Sequence, residues 1–266
     1  NKFIKLRDTL YSKFENETYP IRVADSIYLH FSFPDSIIKQ IIDSELLEKK
    51  EYVYSDLGYY LLKEIIEDLT QESFDDYLNN NFYKKIGMEN LGFLPKNSIN
   101  TDRIVPTEND YEFRSQLLKG DVHDMGAAMF GGIGGHAGLF SNANDLAKIM
   151  QLYLNKGMYG DEFYFSSKII DEYTKCQFCE EENRRGLGFD KPALENQEGG
   201  PTCKCVSELS YGHSGFTGTL AWADPETQII YIFLSNRIHP NSDNKKLLDL
   251  NVRTDIMEQI FKYNER

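Results

Sequence analysis

The chain has 266 residues, of which 41% are hydrophobic and 13% aromatic, so it can bury a large core in one or two domains. Its 29 basic and 42 acidic residues give a formal net charge of -13 without a cluster of lysine or arginine, so a nucleic-acid partner is not expected. No apolar run reaches the roughly 18 to 20 residues of a membrane span, and the first residues lack the apolar core of a signal peptide.

Residues 1–50 are predicted to be polar and mainly helical. A Pro34-Asp35-Ser36 start signal is followed by apolar residues at helical spacing, namely Ile37, Ile38, Ile41, Ile42 and Leu46. This region carries no obvious chemistry. Because the sequence does not begin with Met, we expect it to be an excised piece with any targeting signal upstream.

The strongest helical pattern lies in Tyr59–Leu69, which is apolar on one face and charged on the other. A helix should therefore start just after Tyr54-Ser55-Asp56. A second helix is predicted from about Ser73 to Tyr83, with Gly87 closing it.

Residues 92–122 show little periodicity and are predicted to form a long loop. The glycine-rich segment that follows, Gly131–Phe140, lacks the Gly-Lys-Ser/Thr ending of a phosphate-binding loop and no strand precedes it. Close backbone packing explains its glycines better. Ser141–Asn144 should then cap a helix with an acidic first turn at Asp145.

From Gly186 onward the periodicity changes to that of strands. The predicted strands form an antiparallel meander at Gly188-Phe189, Tyr211–Gly215, Thr219–Ala223 and Ile229–Ser235. A final helix over Lys246–Tyr263 should pack against this sheet.

The four cysteines occur as two close pairs, Cys176 with Cys179 and Cys203 with Cys205. Zinc sites usually combine two Cys-x-x-Cys turns, and the second pair here is one residue too short. Disulfides or unpaired surface thiols are therefore favoured over a metal, and no metal or cofactor is expected.

Two short polar motifs carry the clearest functional signal. Tyr54-Ser55-Asp56 precedes a predicted helix, and His213-Ser214-Gly215 lies in a predicted strand about 160 residues later. Together with Gly138-Leu139-Phe140-Ser141 and the closing Leu234–Arg237, in this order, they resemble the class C β-lactamase and penicillin-binding-protein-like serine hydrolases. The resemblance covers roughly residues 50–263.

A narrower resemblance comes from the middle of the chain. Ile104–Glu108, followed by Arg114, Val122-His123-Asp124 and the glycine segment, is similar to a bacterial subgroup whose hydrolase module is sometimes joined to a family 3 glycoside hydrolase. The resemblance implies a bacterial envelope location and an upstream glycoside hydrolase module as a possible partner.

The resemblance also implies a mechanism in which a serine attacks an acyl carbonyl while a tyrosine moves the proton. Tyr54 would be that general base or acid, and Asp56 would stand where an Asn usually contacts the substrate amide. His213, Ser214 and Gly215 would replace the Lys-Thr-Gly strand motif, and the Phe216 N–H would form half of the oxyanion hole. A neutral imidazole anchors a carboxylate less well than an ammonium, which favours esterase-like or peptidase-like activity over efficient penicillin hydrolysis.

Three further residues are candidates for substrate binding: Arg114, His123 and His136. Each has a structural alternative. Arg114 could be a salt-bridged arginine, His123-Asp124 could support a loop through hydrogen bonds, and His136 could be a turn histidine.

The serine nucleophile of this family belongs to a Ser-x-x-Lys motif far upstream of the tyrosine. The only match ahead of Tyr54 is Ser36-Ile37-Ile38-Lys39, just 18 positions before it, and Pro34-Asp35-Ser36 is more typical of a helix cap. We therefore expect the chain to be the C-terminal portion of a longer hydrolase, inactive alone, acting on a small-molecule or peptide acyl substrate.

Two other functions stay open at this point: a non-catalytic relative that binds peptidoglycan or glycan pieces in the same cleft, and a metal-dependent module organised by the cysteines. The predicted fold is α/β and β-lactamase/transpeptidase-like. Residues 1–185 should form a mainly helical lobe, and residues 186–266 a partial antiparallel sheet covered by the terminal helix. An exposed sheet edge would permit homo-oligomers.

Overall fold

The computed structural model describes residues 9–49, 51–197 and 199–264. These residues form two compact units, each assembled from separate stretches of the chain. The first unit contains the described residues up to Lys85, Asn90–Phe140 and His239–Asn241. The second contains Ile86–Glu89, Ser141–Ile238 and the described residues from Ser242. The predicted division at residue 185 stays a prediction.

A small antiparallel sheet opens the first unit, so the prediction of a mainly helical start is wrong. Its strands are arranged in the order β1-β3-β2 and comprise β1 (Tyr11–Ser12), β2 (Ile21–Ala24) and β3 (Ile27–Leu29). Ile27 and Leu29 are buried on either side of the half-buried Tyr28, which is the alternation of a strand. Strands of two to four residues are too short to stand out from the helical pattern that follows them. The predicted helical residues 1–8 lie outside the described residues.

The helices of the first unit begin close to their predicted positions. They are α1 (Phe33–Ile42), α2 (Leu57–Thr70) and α3 (Phe74–Leu78), which continues as a π-helical turn over Asn79–Tyr83. The Ser73 hydroxyl caps α3 by accepting from the N–H of Asp76. As predicted, α2 starts directly after Tyr54-Ser55-Asp56.

Helix α2 buries a lysine and leaves several of its apolar side chains exposed. Among its residues, all of which are described, only Lys63 is buried, whereas Leu62, Ile65 and Leu69 are exposed. The Lys63 ammonium pairs with Glu67 at 2.7 Å, which compensates part of the cost of burying it. The sequence period predicts the helix but not which of its sides faces the interior.

The predicted loop over residues 92–122 contains a β-hairpin made of β4 (Pro106–Asp110) and β5 (Gln116–Lys119), after short 3-10 turns at Pro95–Asn97 and Thr101–Arg103. Strand β4 is almost entirely polar, so it shows no alternation of apolar residues. Helix α4 (Met125–Met129) follows. The core beneath these elements consists of Val23, Ala24, Ile27, Leu29, Leu118, Val122, Ala127 and Ala128.

The second unit begins with α5 (Ala143–Leu154), where Asn142 accepts the N–H of Asp145 at 2.8 Å, close to the predicted cap. Short elements follow: β6 (Met158–Tyr159), β7 (Glu162–Phe163), α6 (Ser167–Thr174) and a 3-10 turn at Cys179–Glu181.

The predicted antiparallel meander is present in the second unit. Its strands, in the order β10-β9-β8, are β8 (Tyr211–Ser214), β9 (Leu220–Asp224) and β10 (Ile229–Phe233). The strand predicted at Gly188-Phe189 is absent there, and only the next residue, Asp190, bridges to Gly212. The predicted final helix is two helices, α7 (Lys246–Asp249) and α8 (Val252–Asn264), separated where Asn251 takes a positive φ of 49°.

Strand β9 carries the core of the second unit on both of its faces. Leu220 and Trp222 point to one side, against the α8 residues Met257 and Phe261. Ala223 points to the other side, toward α5. This sheet between helices gives the mixed helix and antiparallel-sheet architecture expected of a transpeptidase-like fold.

Candidate active site

Tyr54 lies immediately before α2 and is 58% exposed. The neighbouring Ser55 hydroxyl accepts the N–H of Leu57 at 3.2 Å, and Asp56 stands at the N-cap position. A carboxylate there is favoured by the positive end of the helix dipole. The motif therefore presents a phenol at a helix start, where solvent and small molecules can reach it.

The glycine-rich loop packs against the first turn of α2. A Cβ added at Gly135 would lie 2.3 Å from the Tyr59 carbonyl oxygen, so only glycine permits this approach. The loop therefore fixes the backbone just after the tyrosine motif. This supports the interpretation that the glycines allow close backbone packing and do not form a phosphate-binding loop.

His136 is buried beneath the same turn. Its ring stacks on Tyr60 with centroids 4.1 Å apart, and its Nε2 lies 2.9 Å from the Asp124 carboxylate. Burial alone would raise the pKa of Asp124, but the hydrogen bonds from His136 and the Ala127 N–H outweigh burial and lower it. Burial and the nearby carboxylates raise the pKa of Tyr60 to about 12, so its phenol stays protonated at neutral pH.

His123 and Asp124 have different partners although they are adjacent. The His123 ring contacts the Glu108 carboxylate through Nδ1, while Asp124 binds His136. The pair is therefore not joined in one hydrogen bond, as expected for neighbouring side chains in a loop.

Arg114 is almost fully buried within the β4–β5 hairpin. Its guanidinium donates to Asp110 at 2.6 Å and to the carbonyl oxygens of Val122 and His123 at 2.6 and 2.7 Å. This set of partners favours the salt-bridged alternative. The substrate-binding roles of Arg114, His123 and His136 stay predictions.

Ser36 does not have the surroundings of an activated nucleophile. It lies inside α1, where its hydroxyl donates to the Ser32 carbonyl at 3.1 Å, and Lys39 pairs with Asp43 at 3.1 Å. The N-cap position belongs to Ser32 and Pro34 lies in the first turn, so the helix starts close to the predicted Pro34-Asp35-Ser36 signal.

Strand β8 presents the second motif with a defined protonation pattern. His213 Nδ1 lies 2.7 Å from the Ser214 carbonyl oxygen, which can only accept, so Nδ1 carries a proton. His213 Nε2 lies 3.0 Å from Arg185 Nη1, which can only donate, so Nε2 is unprotonated. The two contacts together match the tautomer that carries its proton on Nδ1, and they place the Arg185 guanidinium beside this strand.

Arg185 is the residue of this site that the sequence interpretation missed. It and Arg184 both approach the buried Asp190, which Arg184 holds through two hydrogen bonds and Arg185 approaches at 3.5 Å. Asp190 is bridged to Gly212 next to the histidine. The only available signal was an Arg-Arg pair directly after an acidic stretch.

Replacing Arg185 by Met should remove the donor to His213 Nε2 and release the imidazole into a mixture of tautomers. Long-range ¹H–¹⁵N spectra of the His213 ring would measure this. The loss of a charge-assisted hydrogen bond should also cost about 1.5 to 3 kcal/mol of unfolding free energy. Arg184→Met is the matched control, because Arg184 shares Asp190 but does not contact the ring. Equal changes in the His213 ring signals of the two variants would contradict the assignment.

The turn after β8 is also well ordered by contacts. The Gly215 N–H donates to the Thr219 carbonyl at 2.9 Å, and the Arg237 guanidinium lies 5.0 Å from the centre of the Phe216 ring. Two predicted motifs, His213–Gly218 and Leu234–Arg237, are thus in contact within the second unit.

The cysteines form two disulfides, Cys176–Cys179 and Cys203–Cys205. This settles the alternative between disulfides and free thiols. Among residues 9–49, 51–197 and 199–264, no group of three or more potential ligands could hold a metal ion. Within the same ranges, none of the helices combines the length and apolar character needed to cross a membrane.

Comparison with known proteins identifies the family of this chain. Residues 23–255 match the family model described as Beta-lactamase. A Bacillus subtilis protein named N-acetylmuramyl-L-alanine amidase is 35% identical over 203 residues, which are 71% of this chain and 45% of the relative. A Salmonella gallinarum protein that carries the name of a D-alanyl-D-alanine carboxypeptidase is 33% identical over 233 residues, 82% of this chain and 53% of the relative.

Solved structures agree at the level of the fold. A β-lactamase from Mycobacterium bovis has a TM-score of 0.54 at 18% identity and covers 80% of this chain and 64% of its own. Simvastatin synthase (LovD) from Aspergillus terreus has a TM-score of 0.59 at 13% identity, covering 88% and 63%. The chain spans about half the length of the curated relatives it matches. It belongs to the β-lactamase family of penicillin-binding-protein-like serine hydrolases.

Proposed function

We propose that this chain is the C-terminal part of a serine acyl hydrolase of the bacterial cell envelope that cleaves a peptide, ester or lactam through an acyl-enzyme. Family membership supports the reaction class. The names of two relatives, an amidase and a carboxypeptidase, denote hydrolysis of amide bonds and favour cell-wall peptides as substrates. The observation that carries the proposal is the exposed Tyr54 phenol at the start of α2.

In this proposal Tyr54 transfers the proton between the nucleophile and the leaving group. A tyrosine with a reference pKa of about 10 needs a nearby positive charge for this role, and the lysine of the nucleophile motif would supply it. The strand motif binds the substrate backbone, with the Phe216 N–H as an oxyanion donor. The imidazole of His213 in place of a lysine ammonium makes ester-like or peptide-like substrates better candidates than penicillins.

We further propose that the nucleophilic serine is absent from this sequence. The Ser36 hydroxyl and the Lys39 ammonium each have a different partner, and neither is bonded to the other. The chain alone would then be inactive. A longer protein that includes a Ser-x-x-Lys segment would react with a fluorophosphonate or a penicillin.

Tyr54→Phe in the longer protein should lower kcat for a p-nitrophenyl ester by about 10² to 10⁴, because the proton-transfer group is lost. Tyr111→Phe is the control, since Tyr111 is also a largely exposed tyrosine, at 69%. Unchanged turnover in Tyr54→Phe would reject the role of Tyr54. Turnover by the present chain alone, abolished by Ser36→Ala, would reject the external nucleophile instead.

A non-catalytic relative that binds peptidoglycan or glycan pieces is the alternative. The residue type at His213 favours it, because the lysine ammonium of the usual strand motif is replaced by an imidazole. Under this alternative the longer protein binds muropeptides without becoming covalently labelled. Titration with a muropeptide beside fluorophosphonate labelling separates the two functions.

A further inference from the structure

A pocket of about 500 Å³ in the second unit has no role in the proposed hydrolase reaction. Its charged lining contains two more cations than anions: Lys156, Lys168, Lys175, Lys191, Asp171 and Glu172. This local excess stands out in a chain whose formal net charge is -13. A concave site with such an excess attracts anions.

The anions of the pocket are already engaged with two of its lysines. Lys156 pairs with Asp171 at 2.6 Å, and Lys175 pairs with Glu172 at 2.6 Å. Lys168 and Lys191 enter none of the ion pairs within 4.0 Å that the described part of the chain forms. The excess charge therefore resides on these two ammonium groups.

Lys191 is 6% exposed, which is unusual for a lysine without a direct ion pair. Its backbone is held in place, since its N–H donates to Asp190, which bridges to β8. Burial lowers the pKa of Lys191 to about 8, with the Lys156 charge adding to this and Asp224 and Glu208 opposing it. The ammonium is still mostly protonated at neutral pH.

The nearby Asp224 does not neutralise Lys191 directly. The Asp224 carboxylate is fully buried and accepts from the Ser207 N–H and hydroxyl at 2.8 and 2.7 Å, and from the Glu226 N–H at 2.9 Å. Its lone pairs are thus engaged by the turn that it organises. Asp224 therefore acts on Lys191 only through the longer-range attraction between their charges, as does Glu208, and no carboxylate oxygen of the described residues lies within 4.0 Å of the Lys191 ammonium.

We propose that this pocket is a binding site for a phosphate-bearing small molecule, with its phosphate dianion on Lys191 and Lys168. Two ammonium groups match two negative charges, and lysine binds phosphate as a point charge. The volume leaves room beyond the phosphate, where Leu209 and Pro225 line the wall.

Calorimetric titration of the chain with phenyl phosphate and phenyl sulfate at constant ionic strength tests the proposal. Phenyl phosphate should bind at least about tenfold more tightly than the singly charged sulfate, and Lys191→Met should weaken phenyl phosphate binding at least about tenfold. Lys262→Met is the matched control, because Lys262 pairs with Glu258 on α8 outside the pocket. Equal affinities for the two ligands, or equal losses in the two variants, would overturn the site.

A second measurement needs no variant, in case Lys191→Met does not fold. Pyridoxal 5′-phosphate carries an aldehyde that forms an imine with a neutral amine, and borohydride reduction makes the adduct permanent. Peptide mass spectrometry should find the first label on a lysine that lines the pocket, with inorganic phosphate suppressing the reaction. Labelling that follows exposure instead, or that phosphate leaves unchanged, would contradict the proposal. Neither measurement depends on hydrolase activity.

Discussion

Replacing Arg114 by Met should destabilise the first unit by about 3 to 5 kcal/mol, since it leaves a buried carboxylate and two carbonyl groups without their donor. The guanidinium binds Asp110 at 2.6 Å and two carbonyl oxygens beyond β5, so one side chain closes the polar hairpin. Urea unfolding followed by far-UV circular dichroism measures the loss. Trp222 fluorescence alone is unsuitable, because the single tryptophan lies in the second unit.

Arg103→Met is the control for this substitution. Arg103 makes a hydrogen bond with Asn90 at 3.3 Å near the surface, so its loss should cost no more than about 0.5 kcal/mol. A similar unfolding free energy for the Arg114 and Arg103 variants would show that the hairpin does not depend on the buried guanidinium.

The pH at which acid unfolds the protein should depend on the same interaction, because the Asp110 carboxylate is part of it. Burial would raise the pKa of this carboxyl, but the N–H groups of Phe113 and Arg114 and the Arg114 side chain lower it below its unfolded value. The stabilisation is therefore complete above the unfolded pKa of about 3.9 and is lost as pH falls through the folded pKa. In Arg114→Met the pKa of Asp110 should be lowered less, so acid unfolding should begin at a higher pH.

Gly212→Ala should separate β8 from β9. A Cβ at Gly212 would lie 2.1 Å from the Ala221 carbonyl oxygen and 2.8 Å from the Trp222 Cα, and these backbone atoms cannot move without breaking the strand pairing. We expect a cost of about 3 kcal/mol or more, and a red shift of Trp222 emission as water reaches the indole. The signals of the adjacent His213 ring should change as well.

Gly58→Ala provides the comparison for Gly212→Ala. A Cβ at Gly58 would meet no atom within 4 Å, and the residue lies in the first turn of α2. Alanine should raise stability there by up to about 1 kcal/mol. If Gly212→Ala proved as benign as Gly58→Ala, the close approach of β8 and β9 would not constrain the His213 strand.

The helices and strands whose apolar residues recur at a regular spacing were predictable from the sequence. Helix α2 begins where the Tyr54 motif predicts, and β8, β9 and β10 form the predicted meander, because turn residues separate runs of apolar and β-branched side chains. The β4–β5 hairpin was not predictable in this way. It contains the buried ion pair of Asp110 and Arg114, and such a pair leaves no periodic trace in the sequence.

Of the candidate site, only the residues that belong to short sequence motifs were predictable. Tyr54 and His213 stand out through short patterns that belong to the family, whereas Arg185 becomes visible only when folding brings it within 3.0 Å of the His213 ring. Contacts between residues 28 positions apart are set by tertiary packing, and neither propensity nor spacing encodes them. The tautomer of His213 follows from that contact together with the one to the Ser214 carbonyl oxygen.

The exposed apolar side chains of α2 affect how copies of this chain interact in solution. An exposed apolar stripe on this helix consists of Leu62, Ile65 and Leu69, and the chain as a whole is strongly anionic. At low ionic strength the repulsion between these net charges keeps separate copies apart. Added electrolyte shortens the reach of that repulsion to about 10 Å at 0.1 M, and sulfate strengthens contacts between apolar surfaces. We therefore expect added salt, and sulfate in particular, to lower the solubility of this polypeptide.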